Sequence, residues 1–421
     1  MVLKSAIISA LTLVSVNAVT TNYTSTVDPT NITIPEIPQT TSHDPATQCT
    51  YYQSPFVIDQ AQWPNSWEVA TSNGMNTSAE FKALYESIDW TKAPSIPVRG
   101  ISATTGGLDM ASYDSATDPD CWWSSTTCKT PKIEGVNADL YECPEPDVWG
   151  LTFDDGPNCS HNAFYDYLSE NKQKASMFYI GSNVINWPFG ALRGVKDGHH
   201  LAGHTWSHQL MTTLTNEQVL AELYYTQKAI KFVTGVTPKH WRPAQGDIDD
   251  RVRWIATQLN LTAILWNLDT FDWAAGVTEG ITADTVNKNY EDYIKMGSNG
   301  TFASSGSIVL SHEINNMTMD FFMNHYPQIK KSYSHVMDVA TCLNISQPYQ
   351  ETTVTFPTFE QAVSGGSNTT TETKTGATAA AASGSSVAGS VAQAAAKNSG
   401  NSVSMNGSLF IAAVFGLLVL V

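Results

Sequence analysis

The rhythm of apolar and polar positions changes near residue 148. From there, short apolar runs alternate with amphipathic stretches. Val148 to Phe153 reads as a strand, His161 to Asn171 as a helix and Ala175 to Ile180 as a second strand. Thr215, with Gln218 three residues later, makes a capping box for a helix running to Val233. Strand His240 to Arg242, helix Asp250 to Leu259, strand Ala263 to Leu268, helix Ala283 to Lys295 and strand Ser307 to Ser311 follow. Strand after helix after strand predicts an α/β domain with a parallel sheet, and a (β/α) barrel is the natural closure for ~200 residues.

Outside that region the pattern fades. Cys49 to Glu145 is rich in Trp, Ser, Asp and Pro and has little helical spacing beyond Phe81, Leu84, Tyr85 and Ile88. Val19 to Gln48 is dominated by Thr and Pro, a composition that predicts an unpacked linker. Ser364 to Ser404 is built mainly from Ser, Thr, Ala and Gly, as in a stalk. At the start, Lys4, the apolar run Ala6 to Val16 and the small residues before position 19 form a secretory signal pattern over residues 1–18. At the end, small residues at Asn398 to Gly400, an uncharged spacer and the apolar run Leu409 to Val421 match a glycosylphosphatidylinositol (GPI) anchor signal, with Asn398 as the attachment site. The expected divisions are therefore signal 1–18, linker 19–48, Cys-rich extension 49–145, catalytic domain 146–345, stalk 346–398 and a removed tail 399–421.

Composition sharpens this picture. Lys and Arg total 22 against 39 Asp and Glu, a net charge of −17, and no basic cluster is present to grip a phosphate backbone, so nucleic acid is not an expected partner. Asn-X-Ser/Thr sequons stand at Asn22, Asn31, Asn76, Asn158, Asn260, Asn299, Asn316, Asn344 and Asn368, with one more, Asn406, in the tail. Six cysteines without metal-finger spacing suit an oxidising compartment. Cys143 precedes the first strand and Cys342 follows the last helix, so a bridge between them would tie the domain's ends. Cys121 would then close a small loop with Cys128, leaving Cys49 for Cys159. A secreted monomer held at the outer cell surface or wall is the expectation.

Candidate chemistry lies where strands end, the usual place for a barrel's active site. Asp154 and Asp155 sit together before Gly156-Pro157. His204 and His208 stand four apart, and in one helical turn their imidazoles would face the same way. Two His and a carboxylate leave open positions on a zinc-like ion, as catalytic metal sites require.

Together with Trp241-Arg242-Pro243, Asp269-X-X-Asp272-Trp273 and Leu310-Ser311-His312-Glu313, these residues resemble the five ordered motifs of NodB-homology polysaccharide deacetylases, carbohydrate esterase family 4. The resemblance covers about residues 145–344. It implies a distorted (β/α) barrel of the NodB type. It also implies one divalent ion, Zn²⁺ or Co²⁺, on Asp155, His204 and His208, with Asp154 as general base. Arg242 would orient Asp154, and Asp272 would orient His312, the general acid. Trp266 and Leu310 would receive the acetyl methyl, the Gln245 backbone would hold the oxyanion, and Trp273, with Trp206 and Trp241, could stack on sugar. The remaining histidines, among them His161, have no part in this scheme. One departure is Gln245, where the family usually carries a Tyr, which puts a subsite wall in question. With the surface-anchor signals, the implied substrates are chitin and chitin oligomers. O-acetyl esterase action on a glycan such as xylan, or a non-catalytic wall-binding mannoprotein, are the rival expectations.

Overall fold

The protein was analysed as a computed structural model that describes residues 18–19 and 21–364. Asn368, the attachment site Asn398, the tail and nearly all of the signal lie outside the described residues. Among the described residues no helix is long and apolar enough to cross a membrane.

The sheet is parallel throughout. In spatial order it runs β5 (Thr262–Ala263), β4 (His240–Trp241), β3 (His200–Gly203), β2 (Ser176–Tyr179), β1 (Val148–Gly156), β7 (Ser307–Leu310) and β6 (Leu268–Asp269). β8 (His335–Met337) pairs with the first half of β1, opposite Val148 to Gly150, and β2 pairs with the second half from Thr152. β1 is buried along almost its whole length because helices cover the sheet, which is why Val148 to Phe153 is apolar on both faces apart from Thr152.

The expected strand Ala263 to Leu268 is instead two short pieces at opposite ends of the sheet order. β5 parts from β4 after Ala263, and by Asn267 the backbone N–H already reaches Ile308 O in β7 (3.1 Å). One extended stretch thus carries the chain between the sheet's two edges and curls it towards a barrel. It cannot pair with both neighbours along its length, so neither pairing grows long. Leu140 of the extension fills part of this seam, donating to Ala263 O (3.0 Å) and accepting from Leu265 N (2.7 Å).

The helices Asn162–Glu170, Asn216–Thr234, Asp250–Gln258 and Ala283–Met296 form at the expected places, the second with its Thr215/Gln218 capping box. Sequence periodicity gave no sign of helices Gly181–Asn186, Pro188–Lys196 and Asn316–Ser332, or of β3 and β8. The first helix is short and buried nearly all round, the second is short and carries Gly190 and Gly194, and the third carries Pro327, so none offers a long uninterrupted helical pattern.

Two boundaries move. Residues 21–34, part of the stretch expected as an unpacked linker, lie extended on the barrel. Tyr23, Ser25 and Val27 turn inward while Asn22, Thr24, Thr26 and Asp28 stay exposed. Tyr23 donates to Gln227 (2.9 Å) and Ser25 to Phe232 O (3.1 Å). The inward residues alternate with threonines, so the average composition conceals a strand-like period of two. Residues 346–363 are also packed rather than stalk-like. Tyr349 and Phe356 are buried, Gln350 N donates to Thr237 O (2.9 Å), and Glu351 pairs with Lys231 (2.9 Å). Disulfides join Cys49 to Cys159, Cys121 to Cys128 and Cys143 to Cys342.

Candidate active site

The end of β1 delivers two carboxylates to different tasks. Asp154 faces inward and is nearly fully buried, while Asp155 takes a left-handed backbone (φ 72) that turns its side chain towards the histidines. Asn183 Nδ2 donates to Asp155 O (2.9 Å) and helps hold that turn. Gly156 follows because a Cβ there would collide with the Glu313 carboxylate.

His204 and His208 do not lie on a helical turn. Thr205 and His208 both have positive φ (62 and 57), and the segment is a loop. The loop nevertheless brings both rings to one carboxylate, with Asp155 Oδ1 3.3 Å from each Nε2. His204 Nδ1 lies 2.9 Å from Arg242 O, a donor position that leaves Nε2 free as a ligand. The three donor atoms lie within 4.8 Å of one another, and buried Asp155 Oδ1 has no hydrogen-bond donor among the described residues. An unpaired buried carboxylate oxygen beside two imidazole nitrogens fits a divalent cation. Burial alone would raise the Asp155 pKa, but His208 and His204 outweigh it and hold the carboxyl well below its usual range.

Glu222, from the helix Asn216–Thr234, fixes this loop from beneath. It accepts from Trp206 N (2.8 Å), Ser207 N (2.9 Å) and Ser207 Oγ (2.7 Å), and also from Ala70 N of the extension (2.9 Å).

Arg242 is fully buried at the seam of the barrel. Its guanidinium donates to Ile264 O (3.0 Å) and Leu265 O (3.1 Å), carbonyls in the stretch between β5 and β6, and to Thr152 Oγ1 (3.0 Å) and Asp154 Oδ1 (2.6 Å). Facing it across the site, Asp272 Oδ1 lies 2.6 Å from His312 Nδ1 and Asp272 Oδ2 accepts His312 N (2.9 Å). Burial pushes His312 down, but Asp272, then Asp155 and Asp154, more than reverse it and raise its pKa to about 9. The site therefore carries an orientated carboxylate, a protonated imidazole and a three-donor cluster in one buried space.

The profile of the polysaccharide deacetylase family matches residues 141–264, which include Asp154, Asp155, both cluster histidines and Arg242. A chitin deacetylase of Amylomyces rouxii is 63% identical over 333 residues, 78% of each chain. The chain belongs to the polysaccharide deacetylase family. Chitin deacetylase 2 of Cryptococcus neoformans is 48% identical over 79% of this chain and 73% of its own. The solved chitin deacetylase of Colletotrichum lindemuthianum aligns over 51% of this chain and 96% of its own, at 22% identity and TM-score 0.46. In this polysaccharide deacetylase the Asp272–His312 pair lies beyond the profile match, and the fold brings it back to the same space.

The surrounding residues divide. Trp266 is half-buried, with the Arg242 guanidinium 5.4 Å from its ring, and Leu310 is buried on β7. Gln245 is exposed in a left-handed conformation (φ 56), and Trp273 is partly exposed beside exposed Phe271. Trp206 and Trp241 are each only 1% exposed, so neither can stack on a sugar; they belong to the core under the loops. His161 has a partner after all. Its Nδ1 lies 2.8 Å from buried Glu313, which also accepts from Tyr165 (3.1 Å) behind the Asp155 turn. Glu313 follows His312 directly in sequence, a hint that its type alone did not reveal.

Proposed function

We propose that the protein hydrolyses the N-acetyl groups of N-acetylglucosamine units in chitin, leaving free amines and releasing acetate. The 63% identity to a chitin deacetylase over 78% of both chains carries this reading, and the site supplies the means. Asp155, His204 and His208 would hold a divalent cation, Zn²⁺ or Co²⁺, which when bound polarises the amide carbonyl and makes water more acidic.

The protein's own groups handle the protons. Asp154, fixed by Arg242, takes one from the attacking water. The peptide N–H of Gln245 supports the oxyanion, and Trp266 with Leu310 receives the acetyl methyl. His312, kept protonated by Asp272, gives its proton to the departing nitrogen. An amine is a poor leaving group until protonated, so an acid that stays protonated at neutral pH is what amide cleavage needs. The cell wall is the setting we infer.

The test is acetate release by purified protein from chitin oligomers and from acetylated xylan, after chelation and after return of zinc or cobalt. Release from chitin only with metal is expected; release from xylan alone would replace the substrate. Asp154→Asn should keep the metal and lose turnover, whereas His204→Ala should lose the metal. Near-normal rates in Asp154→Asn would falsify the base assignment.

A further inference from the structure

The Cys121–Cys128 loop belongs to the extension, yet it is bolted to the catalytic domain. Arg253 donates to Cys121 O (2.6 Å) and Cys128 O (2.9 Å), one bond to each end of the loop, and is itself paired with buried Asp139. Asp247, four residues after Pro243, accepts from Trp122 Nε1 (2.9 Å) and Ser124 Oγ (2.7 Å) with one oxygen. Its other oxygen accepts from Thr212 N (2.8 Å) and Oγ1 (2.7 Å), just after His208. Trp123 N donates to Ile248 O (3.0 Å). The loop is thus held at both cysteines and at its centre.

Trp123 is the residue this scaffold presents. Its ring is only partly buried and meets Trp266 edge-on, with centroids 5.7 Å apart and planes at 66°. Gly246 makes the approach possible, since a Cβ there would fall 2.7 Å from Trp123 Nε1 and 2.9 Å from the Trp266 ring. Gly246 follows exposed Gln245, whose amide lies 3.5 Å from His208 O. The indole therefore stands beside the loop that adjoins the cation cluster, against the ring that covers Arg242.

We propose that Trp123 is a substrate-binding residue supplied by the extension, an aromatic wall for a sugar ring next to the one undergoing deacetylation. Pyranoses with equatorial substituents present C–H faces that pack on aromatic rings, and a ring fixed before binding loses little entropy when the sugar arrives. Gln245 offers no ring at this edge; Trp123 does. The extension then helps set which chain lengths bind well. This inference rests on the proposed chitin substrate.

The test uses the full chain with Trp123→Ala and Trp123→Phe, chitin tetramer and pentamer as substrates, and calorimetric zinc titration. Truncation to Ala should raise KM roughly tenfold, the equivalent of losing one good contact, with kcat within about twofold and zinc affinity unchanged. Phe should recover most of the loss. An unchanged KM in Trp123→Ala, with wild type active, would overturn the subsite and leave the reaction standing. So would zinc affinity falling in step with activity, which marks a packing role. Wild type that binds the oligomers, more weakly after Trp123→Ala, but releases no acetate would overturn the reaction and support the subsite.

Discussion

Glu222 accepts both the backbone N–H and the hydroxyl of Ser207, at 2.9 and 2.7 Å, in the middle of the loop that carries His204 and His208. The loop has positive φ at Thr205 and His208, so its own conformation is strained and something must hold it. A buried carboxylate that collects four hydrogen bonds does so. The same carboxylate takes Ala70 N, and Trp63 stacks on Trp206 at 6.1 Å, so the extension braces the cluster as well. Glu222→Gln keeps the volume but points an amide at donors. We expect metal affinity to fall about 10- to 100-fold, the usual cost of losing a partner behind the ligands, with the fold retained by circular dichroism. Affinity within twofold of wild type would sink the idea.

The pH dependence should report the Asp272–His312 pair. His312 is protonated until pH approaches about 9, so acid catalysis should fail on the alkaline side as pH rises through that value. The raised pKa also means that its contribution to stability is present below pH ~6.5 and is lost as pH climbs through 9. Asp272→Asn removes the largest effect that raises the pKa and leaves burial, which lowers it. The alkaline limb of kcat/KM should then move down by roughly two pH units or more. An unmoved limb would mean that another group supplies the proton.

How far the sequence reveals such a site depends on how each residue is used. Asp154, Asp155, His204, His208, Arg242, Asp272 and His312 were legible because their types and order form motifs at strand ends. The conformation joining them was not. The His204 to His208 spacing suggests a helix, but two left-handed residues make a loop that achieves the same convergence. Supporting residues were silent. Glu222 sits in a long helix with no motif around it, and Trp123 comes from a region whose periodicity is poor because disulfides and an arginine, not a stripe of apolar contacts, position it. The split strand was hidden for a related reason. Ile264 and Leu265 look like mid-strand residues, and only the curl of the sheet leaves their carbonyls for Arg242.

The N-terminal strap should matter to stability and not to chemistry. Val19 N donates to Gln258 O (2.9 Å), and the Tyr23 ring packs tilted against Tyr224, centroids 5.3 Å apart, while its hydroxyl donates to Gln227. Tyr23→Ala deletes a partly buried ring and leaves Gln227 short of a partner, at a cost of about 1–3 kcal/mol. Differential scanning calorimetry should show a fall in Tm of several degrees, with kcat and KM on chitin oligomers unchanged at 25 °C. An unchanged Tm would return residues 21–34 to the status of a linker.

Arg242 joins the two halves of the molecule's problem, since one guanidinium both serves Asp154 and saturates the seam between β5 and β6. Lys in its place is positive but has no planar fork, so it cannot reach Asp154, Thr152, Ile264 O and Leu265 O together. Arg242→Lys should therefore lose both activity and stability, the latter by about 3–5 kcal/mol because buried acceptors and a buried carboxylate are left unpaired. Asp154→Asn removes the counter-charge but keeps the guanidinium's hydrogen bonds to Thr152, Ile264 O and Leu265 O, so it should lose activity while its urea midpoint falls by less than that of Arg242→Lys. The contrast separates the structural duty of the arginine from its catalytic one. Should both variants unfold at the wild-type midpoint, the seam does not depend on Arg242, and the four hydrogen bonds at its guanidinium contribute nothing to closing the barrel.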